Sequence, residues 1–206
     1  MDVTIIGAGN MARGIGTRIR QAAGVQILDR NPDQAQALAR ELDTEAGQLG
    51  QTPIRGEVVV LAVPYPAVAE IAQGLGEQLR GRIVVDITNP IDFATFDRLV
   101  TPPGSSAAEE IEKLLPGSRV VKAFNTTFAG TLVAGSVGGQ PLDVFIASDD
   151  SGAAKTVAEL VEAGGLRPIE VGPLRRAQQL EAMGFLHITL QQPLNGQFST
   201  ALKIVS

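Results

Sequence analysis

Two stretches of the chain, Val58-Val59-Val60-Leu61-Ala62 and Ile83-Val84-Val85, are apolar without interruption. A strand with one wet face alternates polar and apolar residues, so unbroken runs read as strands covered on both faces of a parallel sheet. Shorter beta-rich runs precede and follow them: Val3 to Ile6, Val25 to Leu28, Arg119 to Val121, Asp143 to Ala147 and Pro168 to Val171. Helix-like stretches lie between. Asn10 to Ala23 links the first two strands, giving a βαβ unit. Asn31 can cap a second helix, with Pro32 at its first position and Ala35, Leu38, Ala39 and Leu42 at helical spacing. Ser106 and Glu109 form a capping-box pattern before Ile111, Leu114 and Leu115, and Ala153 to Ala163 is helix-like again.

After Gly172-Pro173 the pattern changes to one helix-like stretch from Leu174 to about Gln191, which Pro193 and Gly196 break. The 34 residues beyond Gly172 are too few for a second core. Residues 1–172 are therefore expected to form one domain. Residues 173–206 should be a helix and tail packed on that domain or on a second subunit. With Leu180, Met183 and Ile188 on one helix face, a homodimer is expected.

Seventeen Lys and Arg against 22 Asp and Glu give a net charge of −5, and the basic residues are scattered singly. Such a surface has no broad attraction for phosphate backbones, so nucleic acid is not expected as a partner. The longest apolar run, Val58 to Val63, is far shorter than the roughly 18 residues of a membrane span. No membrane association is expected. The amino terminus runs straight into a strand with no basic stretch, which reads as cytoplasmic. The absence of cysteine excludes disulfides, thiolate metal sites and thiol catalysis. No metal site is expected.

Directly after the first strand comes Gly7-Ala8-Gly9-Asn10-Met11-Ala12, with the G-x-G-x-x-A spacing of a dinucleotide site. Gly7 allows a tight turn, Gly9 lets a pyrophosphate approach the backbone, and Ala12 permits close helix–strand packing. The helix amino terminus then faces the anion. Asp29 follows at the end of the second strand, 22 positions after Gly7. Its carboxylate can hold both ribose hydroxyls and so favours NAD, whereas the adjacent Arg30 can accommodate the 2′-phosphate of NADP. NAD and NADP both stay open, with Asn31 completing this candidate segment. The fold class expected is α/β: a Rossmann-type, doubly wound, mostly parallel sheet with a carboxy-terminal helical appendage.

The chain resembles the NADP oxidoreductase family that reduces the deazaflavin coenzyme F420, and the cytosolic reductase domain of the STEAP metalloreductases. The likeness is carried by Gly7 to Ala12, Asp86-Ile87-Thr88-Asn89-Pro90, Ser106 to Leu115, Val120-Val121-Lys122-Ala123-Phe124-Asn125, and Gly172-Pro173-Leu174 through Glu181-Ala182-Met183. The glycine loop is common to many families; Asp-x-x-Asn-Pro and Val-Val-Lys-Ala-Phe-Asn are more discriminating. The resemblance implies a nicotinamide cofactor and a deazaflavin acceptor. It also departs from the pattern: NADP-using relatives carry a small polar residue where this chain has Asp29. STEAP proteins also have a haem-bearing membrane domain, and membrane electron transfer is not implied here.

Ligands of an open parallel sheet sit beyond the carboxyl ends of its strands. Those positions hold Val63-Pro64-Tyr65, Thr88-Asn89-Pro90 and Phe124-Asn125-Thr126, with no Asp/His or Lys/Tyr couple. Reduction of a ketone needs a group that handles the hydroxyl proton, whereas hydride transfer to a flavin-like ring mainly needs two rings aligned. Asn89 and Asn125 are therefore expected to orient the nicotinamide or its ribose, with Val63, Pro64 and Tyr65 lining the cofactor groove and Pro90 beside Asn89. Thr126 and Phe128 are expected to face the acceptor. No catalytic acid or base is assigned. Lys122 reads as a surface lysine, His187 as a core or interface histidine, and Arg175 and Arg176 as solvated. The function expected is an NAD(P)H-dependent oxidoreductase with a flavin or deazaflavin acceptor. A non-catalytic dinucleotide sensor, or a reductase of a small carbonyl or imine whose pocket a second subunit completes, remain the alternatives.

Overall fold

The apolar runs become the middle of an eight-stranded sheet in a computed structural model that describes residues 1–194 and 196–205. The strands are β1 (Asp2–Ile6), β2 (Gly24–Asp29), β3 (Glu45–Gln48), β4 (Val58–Leu61), β5 (Ile83–Asp86), β6 (Arg119–Lys122), β7 (Ser136–Val137), β8 (Gln140–Pro141), β9 (Asp143–Ser148) and β10 (Arg167–Gly172). The helices are α1 (Asn10–Ile19), α2 (Pro32–Leu42), α3 (Tyr65–Leu79), α4 (Ala107–Leu114), α5 (Ala129–Ala134), α6 (Ser151–Ala163) and α7 (Ala177–Thr189). The order across the sheet is β3-β2-β1-β4-β5-β6-β9-β10, and β7 pairs only with β8. From β3 to β6 all neighbours are parallel, β9 joins β6 antiparallel, and β10 runs parallel to β9. The first six strands follow the 3-2-1-4-5-6 order of a doubly wound nucleotide-binding sheet.

Both faces are covered, as unbroken apolar strands require. Val58 and Val60 point into a core shared with α1, α2 and α6, while Val59 and Leu61 point into a second core beneath α3 and α4. The expected cap of α2 forms, Asn31 Oδ1 accepting from the Asp33 amide at 3.0 Å. At α4, Ser106 Oγ accepts from the Glu109 amide at 3.2 Å and itself donates to Glu109 Oε2 at 2.7 Å.

Three elements differ from the sequence expectation. The first helix ends at Ile19 rather than Ala23, since the Ala22 and Ala23 amides both turn back onto the Ile19 carbonyl before β2. Strand β3, with the polar sequence Glu-Ala-Gly-Gln, has no apolar pattern to announce it because it pairs on one edge only, with β2. The last helix begins at Ala177, after a 3-10 turn over Leu174–Arg176. It packs on its own domain, where Leu180 meets Phe145 and Ala147.

Candidate active site

Gly7 has φ +111°, and a Cβ there would lie 2.3 Å from the Ala62 carbonyl oxygen, so the turn out of β1 passes directly against the end of β4. Only glycine fits both constraints. At Gly9 the situation is reversed: a Cβ would meet nothing within 4 Å and would stand in the open crevice. Gly9 is the amino-terminal cap of α1, and no side chain caps the helix. The first-turn amides of α1 are therefore donors in need of acceptors, the arrangement that holds a phosphate. Ala12 is fully buried, which lets α1 lie close on the sheet.

Two cavities open from this loop and share Gly9, Ala62, Val63 and Pro64 as their waist. The first, about 580 Å³, runs toward α2 and α3 and is lined by Asp29, Arg30, Gln34, Leu49, Ile71 and Gln78 among others. Asp29 is tied to the backbone on both oxygens: Oδ2 accepts from the Ala8 amide at 2.9 Å and Oδ1 from the Asn31 amide at 2.8 Å. Arg30 reaches across the groove to Glu70 Oε2 at 3.0 Å, with both side chains largely exposed. The rim thus holds two carboxylates and one guanidinium. Asn31 is spent on capping α2 and does not line the groove.

The second cavity, about 660 Å³, lies over the carboxyl ends of β4, β5 and β6. Its polar lining comes from Asn10, Tyr65, Thr88, Asn89, Asn125 and Thr127, and its aromatic lining from Phe93, Phe96, Phe128 and Phe198. No charged side chain lines it among the described residues, and Tyr65 is its one titratable group. Burial pushes the Tyr65 phenol above its ordinary value, reinforced by Glu110, Glu181 and Asp86 and opposed by Lys122.

Asn89 and Asn125 are brought together, but chiefly to hold one another. Asn89 Nδ2 donates to the Asn125 carbonyl at 2.7 Å, while Asn125 Nδ2 donates to Asn89 Oδ1 at 3.0 Å and to the Leu180 carbonyl at 2.9 Å. Gly184 of α7 permits this contact, since a Cβ there would lie 2.6 Å from Asn89 Oδ1. The Thr88 hydroxyl and Asn125 Oδ1 remain buried without partners on the cavity wall. Buried polar atoms are rarely left so in folded proteins. Pro90 is buried behind the wall, and Thr126 is also buried off the cavity, its hydroxyl unpartnered; Thr127 and Phe128 face the cavity instead. Sequence reasoning passed over Phe93, Phe96 and Phe198. The first two sit 5.5 Å apart in an exposed loop directly after Asn89-Pro90, and exposed paired aromatics are the signal that could have marked them.

The surface reading of Lys122 is wrong. Its side chain is fully buried, with Nζ 2.7 Å from Asp86 Oδ2, 2.8 Å from Glu181 Oε1 and 2.6 Å from the Thr88 carbonyl. Burial alone would favour the neutral amine, but Asp86 and Glu181 outweigh it and hold the lysine pKa above its usual value. Glu181 in turn accepts from the Ala107 amide at 2.9 Å, at the start of α4. His187 is in the core as expected. It stacks on Phe128 with centroids 4.3 Å apart, bonds Thr200 Oγ1 at 2.8 Å, and burial pushes its pKa down. Arg175 and Arg176 are exposed, also as expected.

A doubly wound sheet with an uncapped helix facing a two-part crevice defines a Rossmann-type dinucleotide-binding protein. Residues 2–90 match the family described as NADP oxidoreductase coenzyme F420-dependent. An F420-dependent NADP reductase of Methanothermobacter thermautotrophicus is 30% identical, over 92% of this chain and 89% of that protein. The chain belongs to this family of oxidoreductases. Metalloreductase STEAP3 of Rattus norvegicus is 32% identical over 88% of the chain, which spans only 36% of that longer protein. A crystal structure of an Arthrobacter sp. FB24 protein superposes with a TM-score of 0.89 at 25% identity, covering 100% of both chains. No helix among the described residues is long and apolar enough to cross a membrane.

Proposed function

We propose that this chain catalyses hydride exchange between a nicotinamide dinucleotide and a flavin or deazaflavin ring. The observation that carries the reading is the second cavity, lined by four phenylalanines together with amides and hydroxyls, and free of charged groups among its described residues. The bound dinucleotide supplies the hydride, and the acceptor ring carries the rest of the redox chemistry. The chain's own part is alignment. The amides at the start of α1 hold the diphosphate, with Gly9 leaving the approach open. Asn125 Oδ1 and the Thr88 hydroxyl fix the nicotinamide amide, and the Asn89 side chain locks Asn125 in place. Phe93, Phe96, Phe128 and Phe198 exclude water and offer faces and edges to a flat ring. Asp29 positions the phosphate loop through Ala8, and Arg30, once released from Glu70, meets a 2′-phosphate. The exposed Leu186 on α7 and Leu190 at its carboxy-terminal cap supply the face for a homodimer, which light scattering would test.

The test is to mix the purified protein with NADPH or NADH and follow the absorbance of the reduced nicotinamide. FMN, FAD, a deazaflavin, and small ketones and imines are offered in turn. Turnover confined to flavin-like acceptors is expected. Turnover with ketones or imines would favour a carbonyl or imine reductase, and tight binding without turnover a sensor.

A further inference from the structure

Three charged side chains are buried together directly behind the wall that bears Thr88. Asp86 closes β5, Lys122 sits opposite it in register on β6, and Glu181 comes from α7. Every hydrogen-bond partner of the two carboxylates is a donor: Lys122 Nζ and the Thr88 amide for Asp86, and Lys122 Nζ with the Ala107 and Ala108 amides for Glu181. A protonated carboxyl group would have to aim its hydrogen at one of these donors, so the donor set favours the ionised form, against the burial that pushes the Glu181 carboxyl above its ordinary value. Two anions and one cation leave a net negative charge, softened by the amino terminus of α4. The cluster lies one peptide away from the cavity, because the Lys122 ammonium donates to the Thr88 carbonyl.

We propose that Asp86, Lys122 and Glu181 form a fixed negative charge behind the nicotinamide subsite, favouring the cationic, oxidised ring over the neutral, reduced one. This rests on the reading above that the nicotinamide lies against Thr88 and Asn125 in the second cavity. The two ring states differ by one unit of charge and little in shape. A charge near the ring therefore strengthens hydride donation by stabilising the product form. The Tyr65 phenol on the cavity wall is pushed up chiefly by burial and by Glu110, and Glu181 and Asp86 add to that shift while Lys122 opposes it.

The test is calorimetric titration of NADP+ and NADPH into the wild type and Glu181→Gln, which keeps size and an acceptor while removing the charge. A unit charge acting through one layer of protein at an effective dielectric of ~20 shifts such an equilibrium about five- to tenfold. The oxidised form should bind about five- to tenfold more weakly to the variant, and the reduced form within about twofold of wild type. Equal weakening of both forms would reduce Glu181 to a structural role and overturn the proposal, as would an unchanged ratio. If neither form binds the wild type, it is the dinucleotide reading that fails.

Tyr65 gives a second readout, because the chain has one tyrosine and no tryptophan. Its phenolate absorbance should titrate at lower pH in Glu181→Gln. Asp86→Asn should move both readouts the same way. In the unaltered protein, a phenol midpoint at or below the ordinary value of ~10 would refute the negative field with no variant needed.

Discussion

Gly9→Val separates the fold from the site. The folded chain has room for the new side chain, since φ at Gly9 is −83° and a Cβ meets nothing within 4 Å. Replacing glycine by valine at a helix cap costs under about 1 kcal/mol, and the stiffer unfolded chain offsets about 0.4–1 kcal/mol. For a domain of this size the melting temperature should then move by less than about 4 °C. Binding is another matter. The valine methyl groups fill the space in front of the α1 amides, and each charge-assisted hydrogen bond lost there is worth about 1.5–3 kcal/mol. NADPH affinity should fall at least about 100-fold, or about 2.7 kcal/mol. Gly7→Ala provides the contrast, because its Cβ would collide with the Ala62 carbonyl and its φ of +111° is hostile to any side chain. There the cost falls on the fold, at about 2–4 kcal/mol. Thermal melts followed by circular dichroism, together with calorimetry, separate the two outcomes. A Gly9→Val protein that binds NADPH with wild-type affinity would refute the placement of the diphosphate.

Asp29→Ser should raise the NADPH/NADH ratio of kcat/KM by about tenfold, because it removes an anion beside the 2′-phosphate position while Arg30 stays; steady-state kinetics with both cofactors would show an unchanged ratio if the idea is wrong. Lys122→Met strands Asp86 and Glu181 as unpaired buried carboxylates and should cost about 3–5 kcal/mol, read as a lower denaturant midpoint; a loss below about 1 kcal/mol would mean the ammonium is not buried among them. His187 has its pKa lowered by burial, so the unfolded chain binds a proton more readily than the folded one. Stability should therefore lose a contribution as pH drops through about 6.5 toward the folded value, and that contribution should be absent in His187→Gln and so show in the difference between wild type and variant. Because the chain has a single histidine, its imidazole titration by NMR checks the direction without assignment.

What the sequence shows and what it hides divide along a physical line. The sheet, its two covered faces and the phosphate loop arise from local rules: unbroken apolar runs, helical spacing, and glycines directly after a strand. Val58 to Leu61 and Gly7 to Ala12 are legible because each signal lies within a few residues. The paired asparagines are half legible, since a turn residue at a strand's end is visible while the partner 36 positions away is not. The surface reading of Lys122 fails because a lysine in a strand of four says nothing about which face it meets or what waits there. Its partners lie 36 and 59 residues away, and only folding brings them together. A signal was present nonetheless. Asp86 ends the apolar run Ile83 to Val85, Lys122 ends Val120-Val121, and Glu181 lies beside Leu180 and three residues before Gly184 on the inward face of α7. A charge at a core position is affordable only with a partner, so three such charges of mixed sign in one domain point to one another before any coordinate is known. Given parallel β5 and β6 in register, the Asp86–Lys122 pair follows from the sheet alone, and α7 has to dock where Glu181 can reach the same ammonium.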